Sequence, residues 1–242
     1  MKLYVVGIGC GSRDGITIEA EKAILHSDIV VGYTVYIEQI KRFYPEKECL
    51  STGMRQECDR VELALKTVAE GKTVALVCSG DSQLYGMAGL ALELSVDYPK
   101  VDIEIIPGVT AALSGGAVLG SPMTHDLALI SLSDLLTPME KIEKRLHCAA
   151  DGDFVIALYN PSSKKRSDYL QKACDIILGY RSTDTVCGIV SNIGRDGQKS
   201  RILTLKELRD IDVDMFTTVF IGNSETRVIG GKMVTPRGYH NV

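Results

Sequence analysis

The seven cysteines of this 242-residue chain never fall into a C-x-x-C pair. An odd, scattered set without ligand spacing argues against a disulfide framework or a zinc site. Cys78, Cys174 and Cys187 lie in apolar runs and read as small core residues. The four histidines are equally dispersed, none at metal spacing from another, so no metal is expected. A surplus of positive charge is missing too. Twenty-seven basic residues against 31 acidic ones leave a net charge of −4, which argues against a dedicated nucleic-acid binder. No apolar run approaches the roughly 20 residues that span a bilayer. Residues 3–6 form a short strand-like run followed by glycines, where a secretory leader would carry its cleavage site. The expectation is a cytoplasmic protein with neither membrane nor nucleic acid as partner.

What the chain does have is core material, 45% hydrophobic residues against 24% charged. Short β-branched runs alternate with helix-period segments, which predicts an α/β protein with a largely parallel sheet. Strands are expected at 3–6, 29–31, 73–78 and 102–106, and helices at 17–27, 35–43, 58–70 and 86–98. Helix 58–70 sets Val61, Ala64, Leu65 and Val68 on one face and stops at Gly71. The Gly-rich stretch 109–120 reads as a helix leading into a linker. Beyond it come strands at 127–132, 154–158 and 186–190, and helices at 139–149 and 167–178. The last part, with short strands at 201–203, 218–221, 227–229 and 232–234 and a Gly230-Gly231 hairpin turn, predicts a mixed second sheet. The expected domains are 1–115, with the glycine loops, and 121–242.

Three glycine-bearing loops follow predicted strands in the first half. Gly7-Ile8-Gly9-Cys10-Gly11-Ser12 allows close approach of a ligand to backbone. It departs from the Rossmann fingerprint, because Ser12 stands where the third glycine belongs and Gly32-Tyr33 where a ribose-binding acid would be. The second loop is Ser79-Gly80-Asp81-Ser82-Gln83-Leu84-Tyr85-Gly86, and Asp81 in it is either a ribose acceptor or a helix cap. The third, Ile106-Pro107-Gly108-Val109-Thr110-Ala111-Ala112, turns into small residues against which a flat ligand can lie. Together the three describe a pocket for a nucleoside-like cofactor, without the lysine of a phosphate-binding loop.

These loops resemble those of the tetrapyrrole methylase family, which transfers methyl groups from S-adenosyl-L-methionine to macrocycles such as precorrins. Three later segments, 130–138 (Ile-Ser-Leu-Ser-Asp-Leu-Leu-Thr-Pro), 157–163 (Ala-Leu-Tyr-Asn-Pro-Ser-Ser) and 233–239 (Met-Val-Thr-Pro-Arg-Gly-Tyr), resemble the precorrin-3B methyltransferases acting at ring carbon 17. Two departures stand out. Cys10 replaces the proline of the family's Gly-x-Gly-Pro-Gly turn, and Met139 replaces a tryptophan. The resemblance implies two α/β domains with an active-site trough between them, a homodimer, and S-adenosyl-L-homocysteine as product. It implies methylation of carbon 17 coupled to ring contraction, as a step of cobalamin biosynthesis. A different precorrin methyltransferase, a diphthine synthase and a non-catalytic nucleotide-binding module are the alternatives.

Carried over to this sequence, the resemblance places the cofactor at Gly9, Cys10, Gly80, Asp81, Leu84, Tyr85, Thr110 and Ala111, closed by Leu158, Tyr159, Thr235 and Pro236. Ring contraction needs an acid or base, for which Ser131, Asp134 and Tyr159 are the chosen candidates beside His125, Asp126 and Ser133. A precorrin carries acetate and propionate arms, so positive charge is needed locally. Lys164, Lys165 and Arg166 form the best cluster, with a solvated helix start as the bland alternative.

Overall fold

A computed structural model describes residues 1–162 and 167–239. The chain forms two compact units, Met1–Thr110 and Ala111–Val242.

The first unit alternates strand and helix throughout: β1 (Lys2–Gly7), α1 (Ile18–His26), β2 (Ile29–Tyr33), α2 (Thr34–Phe43), β3 (Glu48–Thr52), α3 (Glu57–Ala69), β4 (Val74–Cys78), α4 (Ala88–Leu94) and β5 (Asp102–Ile106). Its sheet runs β3-β2-β4-β1-β5, and every neighbouring pair is parallel. Alternation along the strands divides the core in two. Leu3, Val5, Val31, Val74 and Leu76 face α3 and α4, whereas Val6, Val30, Ala75 and Val77 face α1 and α2. Both faces are covered, which is why β4 (Val-Ala-Leu-Val-Cys) is apolar at every position. The chain moves outward from β1 through β2 to β3, then returns to lay β4 between β2 and β1 and β5 on the far side. The ends of β4, β1 and β5 therefore lie side by side where the strand order reverses, the usual ligand edge of such sheets.

Two features of this unit differ from the sequence expectation. β3 was not foreseen; it is a polar sheet edge (Glu-Cys-Leu-Ser-Thr) without a clean apolar period. The helix expected at 86–98 is shorter, Ala88–Leu94 followed by a 3-10 turn at Ser95–Asp97. Gly86 lies in the loop, in a place where a Cβ would collide with the Ser82 carbonyl.

The second unit holds α5 (Ala111–Leu119), β6 (Gly120–Ser121), β7 (Leu127–Ser131), α6 (Met139–Asp151), β8 (Val155–Tyr159), α7 (Tyr169–Leu178), β9 (Val186–Ser191), β10 (Lys199–Thr204), α8 (Leu205–Arg209), β11 (Thr217–Ile221), β12 (Arg227–Ile229) and β13 (Lys232–Val234). The main sheet runs β10-β9-β11-β8-β7 and is mixed as expected, since β7–β8 is parallel and the other pairs are antiparallel. Helices α6, α7 and α8 bury Ile142, Leu146, Leu170, Ile177 and Leu205 on one face, against Ile156, Leu158, Val219 and Ile221. Phe220 points the other way, to α5, where Gly115 brings the helix backbone against its ring. Gly230 and Gly231, both at positive φ, form the β12–β13 turn, and β13 pairs with β6 in a small third sheet. α8 was not foreseen, although Thr204 and Glu207 form a capping box around its start.

No described helix is long and apolar enough to cross a membrane. No disulfide joins the cysteines among the described residues; Cys78, Cys174 and Cys187 are buried, while Cys58 and Cys148 are exposed.

Candidate functional site

The three loops foreseen in the first unit meet at the ends of β4, β1 and β5, and they meet backbone to backbone. A Cβ on Gly7 would sit 2.7 Å from the Gly108 nitrogen and 2.8 Å from the Gly80 oxygen. One on Gly108 would sit 2.6 Å from the Gly7 carbonyl carbon and collide with the Gly80 oxygen. Only glycine permits this approach. Hydrogen bonds then lace the loops together. Gly9 N–H donates to the Gly80 carbonyl at 3.0 Å and Gly80 N–H to the Gly9 carbonyl at 2.7 Å. The buried Ser82 hydroxyl donates to the Ile106 carbonyl at 2.9 Å, and the Cys10 thiol lies 3.5 Å from the Val109 carbonyl.

Asp81 ties the second loop to the third. Its Oδ1 accepts from Gln83 N–H and Leu84 N–H, both at 2.9 Å, and its Oδ2 from Gly108 N–H at 3.0 Å. Partial burial by itself would raise this pKa. The backbone donors of Gly108, Leu84, Gln83 and Ser82 outweigh that and hold the carboxyl below its usual range. The Oδ1 bonds close an Asx turn inside the loop, since α4 starts only at Ala88 and takes no side-chain cap, whereas the bond to Gly108 joins two strand ends. Tyr85 projects from the same loop at φ +56° and is 53% exposed. Thr110 is nearly buried at the end of the third loop, and Leu84 is half-buried.

The loops at 7–12, 79–86 and 106–110 contain no lysine or arginine. They present backbone N–H and C=O groups at the glycines, one internally bonded carboxylate and the exposed Tyr85 side chain. Without a lysine or arginine, that donor set fits an uncharged nucleoside moiety.

In the second unit the parallel ends of β7 and β8 bring Ser131 opposite Tyr159. Ser131 Oγ accepts from the Asn160 side-chain amide at 2.9 Å and from Ser133 N–H at 3.2 Å. With both lone pairs engaged, Ser131 Oγ keeps only its own O–H to donate. Tyr159 Oη accepts from Ala112 N–H at 2.8 Å, holding the first turn of α5. Asp134 is exposed and accepts from the Tyr169 hydroxyl at 2.8 Å, which raises the phenol's pKa. Leu158 is fully buried among the core side chains. Thr235, also fully buried, donates to the Pro122 carbonyl and shares a 2.7 Å bond with Thr226; the Pro236 carbonyl lies 3.0 Å from His125 Nε2. Ser131 and Tyr159 thus stand together, while Thr235 and Pro236 bond to the 122–125 segment. Lys164, Lys165 and Arg166 lie outside the described residues.

Asn160 stands in the 157–163 segment but was not among the expected site residues. It adopts φ +52° and orients Ser131. An Asn-Pro pair directly after a strand was the available signal.

Residues 2–209 match the family of tetrapyrrole (corrin/porphyrin) methylases. The chain is 47% identical over 242 residues to the cobalamin biosynthesis protein CbiHC of Archaeoglobus fulgidus, covering 99% of this chain and 53% of that one. It is 46% identical over 245 residues to the probable cobalt-factor III C(17)-methyltransferase of Methanocaldococcus jannaschii, covering 98% of this chain and 97% of that one. The chain therefore spans about half the length of some relatives that it matches and nearly all of others. Among solved structures, the methyltransferase CobJ superposes with a TM-score of 0.88 at 34% identity, covering 97% of this chain and 99% of that one.

Proposed function

We propose, from the premise that the chain belongs to the tetrapyrrole (corrin/porphyrin) methylases, that it methylates carbon 17 of a precorrin-3-type tetrapyrrole with ring contraction, using S-adenosyl-L-methionine. The observation that carries this reading is the glycine packing, where three strand ends foreseen as one pocket are laced at Gly7, Gly80 and Gly108. Near-full-length similarity to a protein named for C(17) methylation supports the position of attack. The same name favours the cobalt-loaded form of the substrate.

Gly9, Cys10, Gly80, Asp81, Leu84, Tyr85 and Thr110 of the first unit are assigned to the cofactor, as are Ala111, Leu158, Tyr159, Thr235 and Pro236 of the second. When bound, the sulfonium supplies an electrophilic methyl carbon. The chain's own part is positioning and exclusion of water. The close glycine packing fixes the three strand ends against one another, and Asp81 holds two of the loops in register. Ser131 is assigned the proton-bearing role at Oγ, because Asn160 and Ser133 leave it only a bond to donate. Tyr159 is assigned to shape the same strand edge, with Asp134 close by in sequence. Lys164, Lys165 and Arg166 are assigned to the acceptor's carboxylates on sequence grounds. The homodimer implied by the resemblance and the cytoplasmic location expected from the sequence complete the reading.

The test is incubation with S-adenosyl-L-methionine and either metal-free or cobalt-loaded precorrin-3-type substrate, followed by product mass. A gain of one methyl on the cobalt-loaded substrate is expected. No gain on either substrate overturns the reading.

A further inference from the structure

Among the described residues, Arg60 is a buried cation without an anion. It lies in the first turn of α3 and is 3% exposed. Its Nη2 donates to the Gly53 carbonyl at 2.7 Å, and its Nη1 reaches only the Met87 thioether, at 3.5 Å. The guanidinium lies 5.7 Å from the centre of the Tyr33 ring. Nε is buried and donates to nothing, and no carboxylate pairs with Arg60 among the described residues. Beside it, Thr52 has its buried Oγ1 likewise unpartnered. Thr52 precedes Gly53 and stands opposite Tyr33 in the β2–β3 register. A permanently charged group in such a place is unfavourable unless an anion reaches it.

The location narrows the ligand. Tyr33 ends β2, Thr52 ends β3, and Met87 closes the loop that begins at the end of β4 and carries Asp81 and Tyr85. In the order β3-β2-β4-β1-β5, this cluster is the direct neighbour of the glycine loops on the same sheet edge. We propose that Arg60, helped by Thr52, is a carboxylate-binding site that takes an acetate or propionate arm of the tetrapyrrole acceptor. The assignment of the arm rests on the function proposed above. A thioether is a weak acceptor on a flexible side chain, so a carboxylate oxygen displaces Met87 without breaking any backbone hydrogen bond. Gly53 is exposed, and water can satisfy its carbonyl if Arg60 turns away.

The test uses Arg60→Met and Arg60→Lys, with uroporphyrin III as a carboxylate-bearing macrocycle probe followed by fluorescence. S-adenosyl-L-homocysteine binding by calorimetry and thermal melting run alongside. In Arg60→Met the porphyrin dissociation constant is expected to rise at least about tenfold, with partial recovery in Arg60→Lys. Cofactor-product affinity should stay within about twofold, and the melting temperature should equal or exceed wild type, because an unpaired buried charge has been removed. Unchanged porphyrin affinity, with or without a lower melting temperature, overturns the proposal and leaves Arg60 a structural staple. Loss of S-adenosyl-L-homocysteine affinity instead overturns the acceptor assignment and gives the site to the cofactor's own carboxylate. Because the porphyrin arm needs no turnover, its outcome stands apart from whether the wild-type protein methylates a precorrin.

Discussion

At Asp81 a single carboxylate fixes the relative height of two strand ends, since one oxygen holds its own loop and the other holds Gly108. Asp81→Ala should destabilise the protein by about 1.5–3 kcal/mol in urea unfolding, the worth of charge-assisted bonds, and should weaken S-adenosyl-L-homocysteine binding at the same time. The pH dependence has a definite sign. The folded carboxyl titrates below the ordinary aspartate value of 3.8. Its contribution is therefore complete above that value and is lost as pH falls through the lower folded one. The gap between wild type and variant should be full at neutral pH and close on strong acidification. Gly108→Ala tests the glycine packing more directly. Its Cβ would press on the backbone of Gly7 and Gly80, neither of which can rotate away. A stability loss of about 1–3 kcal/mol is expected, together with a large fall in cofactor-product affinity by calorimetry.

Among the elements, those with strong period and clear punctuation were legible. Residues 58–70 matched α3 to within a residue, and the glycines after β1, β4 and β5 marked the loops that meet. β3 was hidden because an edge strand with polar residues carries no period-two signal, and α8 because five residues are too few to show helical period. Arg60 was illegible for a different reason. On a helical wheel a lone arginine looks like solvated face, and only the fold buries it beneath Gly53 and Met87. Glycine inside helices has the same ambiguity, and the structure separates two cases. Nothing lies within 4 Å of a Cβ built on Gly89, an exposed residue of α4. Gly89→Ala should therefore stabilise by about 0.5–1 kcal/mol. On α5 a Cβ at Gly115 would lie 2.9 Å from Ile193 and 3.0 Å from the Phe220 ring. Gly115→Val should cost about 1–3 kcal/mol, as the helix is forced off the sheet. Thermal melts of the two variants should move in opposite directions.

For the whole molecule, net charge and local charge need not agree. A chain at −4 can still grip a polyanionic macrocycle if some of its 27 basic residues are grouped. Replacing Lys164, Lys165 and Arg166 together by Gln should raise the acceptor KM by roughly tenfold at low salt, at about 0.5–1 kcal/mol per exposed pair. The effect should shrink as salt screens charges beyond about 10 Å at 0.1 M. Steady-state kinetics at two ionic strengths reads this, and wild-type KM at low salt would return the cluster to a solvated helix start.

The buried thiols give the chain a means of reporting its own breathing. Burial pushes the Cys78 thiol up to about 11 and that of Cys174 to about 12, and it also raises Cys187, so in the native state they are protonated as well as enclosed. A maleimide pulse read by mass should label Cys58 and Cys148 at once and these three only on unfolding. Cys78 belongs to the first unit, Cys174 and Cys187 to the second. In graded denaturant the thiols become two independent clocks, one per unit. Equal labelling rates would mean that the chain opens as one cooperative body, and unequal rates would name the half that lets go first.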